Sequence, residues 1–124
     1  KSGIGRGGKT EDIYISNIVM TDITGEGIIF QCDYVNRPAG AKDDGQASHQ
    51  TLEKVPEFTD IHISDIICRG AKTAIAAKGI EGLDCVHGIT IDNSTFVYDK
   101  TGLDIDEKTA QLKLTGVRLV ENKK

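Results

Sequence analysis

The strongest constraint on the fold is a repeated pattern of alternating apolar residues that is interrupted by a short polar break. Three segments carry it clearly, and a fourth carries it more weakly. They read DIYISNIVM (12–20), DIHISDIIC (60–68), GITIDNSTF (88–96) and QLKLTGVRL (111–119). Their starts lie about 48, 28 and 23 residues apart, and periods of this size are typical of solenoids.

Aligned on the break, the four segments place apolar residues in shared columns. Alternation with a period of two puts each column on one face of a strand. Before the break the columns are Ile13, Ile61, Ile89 and Leu112, then Ile15, Ile63, Ile91 and Leu114. After it they are Ile18, Ile66, Ser94 and Val117, then Met20, Cys68, Phe96 and Leu119. We interpret these columns as core, and Cys68 as a small buried hydrophobe rather than a nucleophile or a metal ligand.

The break itself holds Asn17, Asp65, Asn93 and Gly116. These residue types best tolerate the left-handed backbone conformation. A bend at the same point of each segment would turn the chain without ending the sheet.

A second, shorter strand follows the first three segments, at 27–30, 74–76 and 102–105, each after a turn with glycine or other small residues. Short strands and bends without helical periods favour a right-handed parallel β-helix. The sequence therefore predicts an all-β solenoid of about four coils, forming a single segment over residues 1–124. The first interval is longer because residues 33–56 are polar, aperiodic and contain both prolines, so we expect a long loop there.

Composition excludes several classes of function. The net charge is −4, with charges of both signs interspersed, so nothing suggests a nucleic-acid partner. No apolar run is long enough to span a membrane. The cysteines are Cys32, Cys68 and Cys85, an odd number at wide spacing without a C-x-x-C pair or a histidine at the spacing of a metal-ligand motif. We therefore expect no metal and no cofactor.

The glycine-rich start, KSGIGRGGKT, matches both the phosphate-binding loop and the dinucleotide fingerprint in letters. Both motifs need a strand before the glycines and a helix after them, because the helix N-terminus holds the phosphates. Only two residues precede Gly3, and the alternating TEDIYISNIVM that follows predicts a strand. A turn between two coils explains these glycines better than nucleotide binding does.

The order of these motifs resembles a known family. GRGG at 5–8, the strand DIYISNIVM, the segment FQCDY at 30–34 and PEFTDIHISDIICRGAKTAI at 56–75 are similar to the C-terminal part of family 28 glycoside hydrolases. These are the polygalacturonase group of pectin-degrading enzymes, and the likeness is greatest to those of gut Bacteroidetes. Members fold as right-handed parallel β-helices, and the resemblance covers nearly the whole chain.

The resemblance implies inverting hydrolysis of galacturonan by aspartates in N-x-D, D-D and G-H-G motifs, which precede an R-x-K motif. Lys1 would match the lysine of R-x-K, which pairs with a substrate carboxylate, and Tyr34 would match the tyrosine that lines the sugar subsite. The catalytic aspartates would then lie on coils before Lys1, so we expect this chain alone to show no turnover. Its partner would be a galacturonan-like pectic polysaccharide, met in the periplasm or outside the cell.

Other candidate acids and bases fit surface positions better. The pair Asp43-Asp44 matches the D-D motif but lies in the irregular loop. His62 falls in an outward column and His87 at a strand start, while Asp104 and Asp106 alternate with apolar neighbours.

Two alternatives to the enzyme interpretation remain open. The chain could be a non-catalytic β-helical module that binds carbohydrate or has a structural role, or it could be an inactive fragment of an enzyme. In either case a solenoid that ends between coils exposes apolar side chains and strand edges. We therefore expect self-association through the edge formed by Ile13, Ile15, Ile18 and Met20.

Overall fold

A computed structural model describes residues 8–32 and 56–123 of the chain, and this part is all-β with no helix. It contains seven strands: β1 (Lys9–Thr10), β2 (Ile13–Met20), β3 (Ile23–Gln31), β4 (Glu57–Phe58), β5 (Ile61–Lys78), β6 (Ile89–Ile105) and β7 (Leu112–Glu121). Nothing in 8–32 or 56–123 forms a helix of the length and apolarity that a membrane crossing needs. The two-residue strands β1 and β4 were not predicted, because neither is long enough to show alternation.

All the strand pairs are parallel. The main sheet has the order β2-β5-β6-β7, and β3 pairs with the second half of β5. The register confirms the predicted columns: Ile13, Ile61, Ile89 and Leu112 are direct neighbours, as are Met20, Cys68, Phe96 and Leu119. The shorter strands also align, with Ile28 beside Ile75 and Ile75 beside Leu103. We refer to β2 with β3 as the first repeat, and to β5, β6 and β7 as the second, third and fourth.

The predicted bends are confirmed by the backbone. Asn17, Asp65, Asn93 and Gly116 have φ values of 59°, 55°, 47° and 64°. The bends do not end the strands, because β5 and β6 run for 18 and 17 residues through them. The sequence predicted separate strands on either side of the Arg69–Ala71 turn, whereas in the structure the ladder continues with only a register shift there.

A second left-handed column precedes the first three repeats and was not predicted. Asp12, Asp60 and Gly88 have φ values of 57°, 51° and 64°. The backbone of Asp60 and that of Gly88 each accept a hydrogen bond from the first residue of the neighbouring strand. The corner is therefore part of the hydrogen-bonded stack rather than a loose connection.

The core lies between the inward columns of the middle repeats. Its largest fully buried side chains include Phe96, Ile66, Ile75, Ile89 and Ile91. Cys68 is also fully buried among them, as the sequence predicted. Towards the first repeat the core opens into an apolar hollow of about 320 Å³, lined by Ile13, Ile15, Ile18 and Met20 among others.

The last residue of the predicted loop belongs to the folded core. Pro56, which the sequence assigned to that loop, is fully buried and directly precedes β4; the rest of the loop lies outside the described residues.

The glycine-rich start leads into a strand. Gly8 has a φ of 83° and directly precedes β1, which pairs with β4. Strands β1 and β2 therefore follow the glycines where a nucleotide-binding motif would need a helix.

Candidate functional site

Both predicted substrate-binding residues, Lys1 and Tyr34, lie outside the described residues, as does Asp43-Asp44. What the structure describes is the strand that leads to Tyr34. Strand β3 ends at Gln31, three positions before Tyr34 in the sequence. A site that includes Tyr34 would therefore adjoin the surface around the end of β3.

The outward side chains at the end of β3 border a shallow groove of about 170 Å³, which we call the β3 groove. Its polar lining consists of Glu26, Gln31, Lys78, Asp104 and Asp106. Strand register explains why these residues meet. Gln31 is the direct neighbour of Lys78, and Asp104 follows in the column of Ile29 and Ala76. Three repeats thus each contribute to one surface.

The groove combines one ammonium group, that of Lys78, with three carboxyl groups and one amide. Lys78 is exposed, and its ammonium group can pair with an anionic ligand. Gln31 offers an amide and Asp104 a carboxylate, which can bind hydroxyl groups. Asp106 has one oxygen engaged, because its Oδ1 accepts a hydrogen bond from the backbone nitrogen of Lys108 at 3.1 Å. The groove therefore offers several acceptors for hydroxyl groups and one cationic partner for a carboxylate, within a lining whose carboxyl groups outnumber its ammonium group.

Comparisons of the chain with models of protein families, with curated proteins and with solved structures each found no match.

A second polar cluster surrounds His62, which faces outward as predicted. Its Nε2 lies 2.8 Å from Oδ1 of Asp60 and its Nδ1 lies 2.8 Å from Oγ1 of Thr90. The ring stacks on Tyr14 with centroids 5.0 Å apart. Since both ring nitrogens are engaged, His62 is held in place by its neighbours rather than poised to exchange a proton with a ligand.

Two carboxyl groups of successive repeats meet beside this histidine. A hydrogen bond that protonated Asp12 donates to Asp60 raises the pKa of Asp12, with smaller contributions from desolvation and from the charges of Asp60 and Glu11. The same hydrogen bond, followed by that to His62, lowers the pKa of Asp60. When the pair holds a single proton, Asp12 therefore carries it, and Asp60 is the carboxylate that accepts the hydrogen bond.

His87 is likewise engaged at both nitrogens. Its Nε2 lies 2.8 Å from Oε2 of Glu57, and its Nδ1 lies 3.3 Å from Oγ1 of Thr59. It joins the β4 segment to the start of the third repeat and is partly exposed. Among the described residues, no group of three potential ligands could hold a metal ion.

Sequence reasoning did not single out Lys78 or Gln31. A signal for Gln31 was present, since it lies within the FQCDY segment that carries the family resemblance. Lys78 carried no such signal, because its place beside Gln31 follows only from the register between β3 and β5.

Proposed function

We propose that this chain is the C-terminal segment of a polygalacturonase-type glycoside hydrolase, folded as a right-handed parallel β-helix of about four coils. In this proposal the whole enzyme hydrolyses pectic polysaccharide with inversion, and the segment supplies part of the substrate cleft. The catalytic aspartates belong to preceding coils.

The continuous parallel register supports the β-helical part of the proposal. Each repeat lies beside the next with the same residue columns, and left-handed corners stack at Asn17, Asp65, Asn93 and Gly116. A crossover between parallel strands of one sheet is right-handed in the great majority of proteins, because of strand twist. A right-handed coil is therefore the expected connection between successive repeats.

The observation that carries the functional part is the position of Lys78 beside the end of β3. The sequence resemblance assigns the sugar-binding tyrosine, Tyr34, to the segment that begins on this strand. Galacturonan presents a carboxylate on each sugar unit, and an exposed ammonium group is a suitable partner for it. Gln31 and Asp104 would bind the sugar hydroxyls, and Lys1 would bind a second carboxylate.

Binding of a short oligogalacturonate to the 124-residue chain, measured by calorimetry, tests this proposal. We expect saturable binding that weakens roughly tenfold in Lys78→Ala, is largely retained in Lys78→Arg, and also weakens in Tyr34→Ala. Lys72→Ala is the matched control, since Lys72 is an exposed lysine of the same strand that does not line the β3 groove.

If Lys78→Ala bound oligogalacturonate as tightly as Lys72→Ala does, the β3 groove would not be the binding site. The same would follow if the chain bound a neutral galactose oligomer as tightly as oligogalacturonate. Release of reducing ends from polygalacturonate by the isolated chain would contradict the absence of catalytic aspartates.

The reading frame of the gene before the codon for Lys1 provides a separate test. The proposal predicts preceding coils with N-x-D, D-D and G-H-G motifs and an arginine two positions before Lys1. Preceding coils without these acids would favour the alternative function, a non-catalytic β-helical module that binds carbohydrate.

The open apolar edge leads to a proposal about assembly. Within residues 8–32 and 56–123 the backbone of β2 is paired only on the β5 side, and Ile18 is 39% exposed. In the isolated chain we propose that a second copy covers this edge, since a dimer would pair two unpaired strand edges and cover the apolar hollow. Light scattering should show a dimer that Ile18→Lys converts to a monomer; a monomeric wild-type chain at high concentration would contradict this.

A further inference from the structure

Two buried cysteines approach each other closely in the part of the core below the β3 groove. The Sγ atoms of Cys32 and Cys85 lie 2.9 Å apart, although the residues are 53 positions apart in the chain. Cys32 is 0% exposed and Cys85 is 3% exposed. Both are thiols in this structure.

The distance is short for two sulfur atoms in simple contact. Carbon atoms, which are smaller than sulfur, are already in optimal contact at about 3.5–4.0 Å. A disulfide needs a sulfur–sulfur distance of about 2.05 Å, so a shift of less than about 1 Å would bring the two atoms to bonding distance. The backbone on both sides is fixed, because the Cys32 amide bonds to the carbonyl of Lys78 and the Cys85 carbonyl accepts from the amide of Phe58.

The surroundings also leave room for the pair. The amide of Ile80 donates to Sγ of Cys85 at 3.3 Å, which orients that sulfur. Gly79 lies directly above it, and a Cβ at this position would approach the sulfur to 3.0 Å and the carbonyl oxygen of Thr109 more closely still. Glycine at position 79 therefore allows the chain to pass over the sulfur pair.

We propose that Cys32 and Cys85 form a disulfide when the chain folds in an oxidising compartment. Its function would be to fasten the residue before the 33–55 segment to the turn that leads into β6. The disulfide is independent of the proposed sugar-binding function, because it involves neither the side chain of Lys78 nor Tyr34.

The oxidant is a small-molecule disulfide such as oxidised glutathione. One cysteine thiolate attacks the glutathione disulfide, forms a mixed disulfide and releases one glutathione thiol. The second cysteine thiolate attacks the protein sulfur of that mixed disulfide and releases the second glutathione. The two protein thiols thereby lose two protons and two electrons, and both pairs are recovered in two molecules of reduced glutathione. Since both sulfurs are buried in the folded chain, the exchange takes place before the core closes.

Refolding with an excess of oxidised glutathione, followed by alkylation of thiols under denaturing conditions and mass spectrometry, tests the proposal. We expect a single alkylated cysteine, Cys68, and one linked peptide pair that joins Cys32 to Cys85. Reduction should lower the midpoint of thermal unfolding by roughly 10 °C, because the cross-link restricts the unfolded chain.

Cys68→Ser is the matched control, since Cys68 is equally buried but lies in the column between Met20 and Phe96. It should retain the linked peptides and the shift of the midpoint, whereas Cys85→Ser should have two alkylated thiols and lose the effect of the reductant. Three alkylated thiols in the oxidised wild-type chain, or a link that involves Cys68, would overturn the proposal without depending on how well any variant folds.

Discussion

The first and second repeats have nearly the same apolar pattern but differ in burial. Ile18 in β2 and Ile66 in β5 are direct neighbours in the same column. Ile18 is 39% exposed, whereas Ile66 is 2% exposed. The difference does not come from the apolar pattern, because DIYISNIVM and DIHISDIIC carry apolar residues at the same inward positions.

The number of neighbouring repeats explains the difference. Strand β5 has the first repeat on one side and β6 on the other, whereas among the described strands β2 pairs with β5 alone. In a stacked parallel sheet an inward side chain is covered mainly by the side chains above and below it. A repeat at the edge of the described sheet is therefore half-buried even when its residues are ideal for a core.

The largest expected effect follows directly from this comparison. Ile66→Ala should lower the free energy of unfolding by about 3 kcal/mol, since it leaves a cavity among covered side chains. Ile18→Ala should cost about 1 kcal/mol, because part of the removed surface already faces solvent. Urea unfolding at low protein concentration measures both. Equal losses would mean that β2 is covered in solution, as a dimer through this edge would require.

The stability that the corner residues contribute should not depend on how many repeats lie beside them. Asn17→Ala and Asn93→Ala each place a residue with a Cβ but without a local hydrogen-bonding group in the left-handed region, at a cost of about 1 kcal/mol. Asn17→Gly and Asn93→Gly, the matched controls, should cost less than the alanine variants, because glycine adopts this φ freely. If alanine and glycine were equivalent at either position, the corner would not need a left-handed residue.

The smallest expected effect concerns the shared proton between the first and second repeats. The folded-state pKa of Asp12 is raised, so its contribution to stability is present when it is protonated and is lost as the pH rises through that pKa. The folded-state pKa of Asp60 is lowered, so its contribution is present at higher pH and is lost as the pH falls through that pKa.

Asp12→Asn should therefore stabilise the fold slightly at neutral pH, where it removes the repulsion between two carboxylates, and should have less effect near pH 4. Unfolding midpoints at the two pH values measure this difference. Asp22→Asn is the control, since Asp22 is another left-handed aspartate with a φ of 54°. A gain from Asp12→Asn that is the same at both pH values would contradict the shared proton.

Much of the fold was predictable because a strand alternates with a period of two and a corner needs a residue that tolerates positive φ. These local rules identified the columns that contain Ile13 and Met20. They also identified the corner residues Asn17, Asp65, Asn93 and Gly116. They could not identify β1 and β4, since the pairing of Lys9 with Glu57 links distant two-residue segments.

The candidate site was less predictable, for a related reason. The proximity of Gln31 and Lys78, and that of Cys32 and Cys85, depends on where each repeat stops relative to its neighbour. Uneven repeat lengths conceal this register in the sequence. Lys1 and Tyr34 remain predictions that follow from the family resemblance.

The connection after Cys32 has a consequence for how such a chain can evolve. The connections that follow β3, β5 and β6 differ greatly in length, yet the columns before and after them stay in register. Insertions and deletions in this connection therefore change the stability of the stacked strands little. Segments of different length and specificity could be exchanged at this point while the strands that hold their ends remain unchanged.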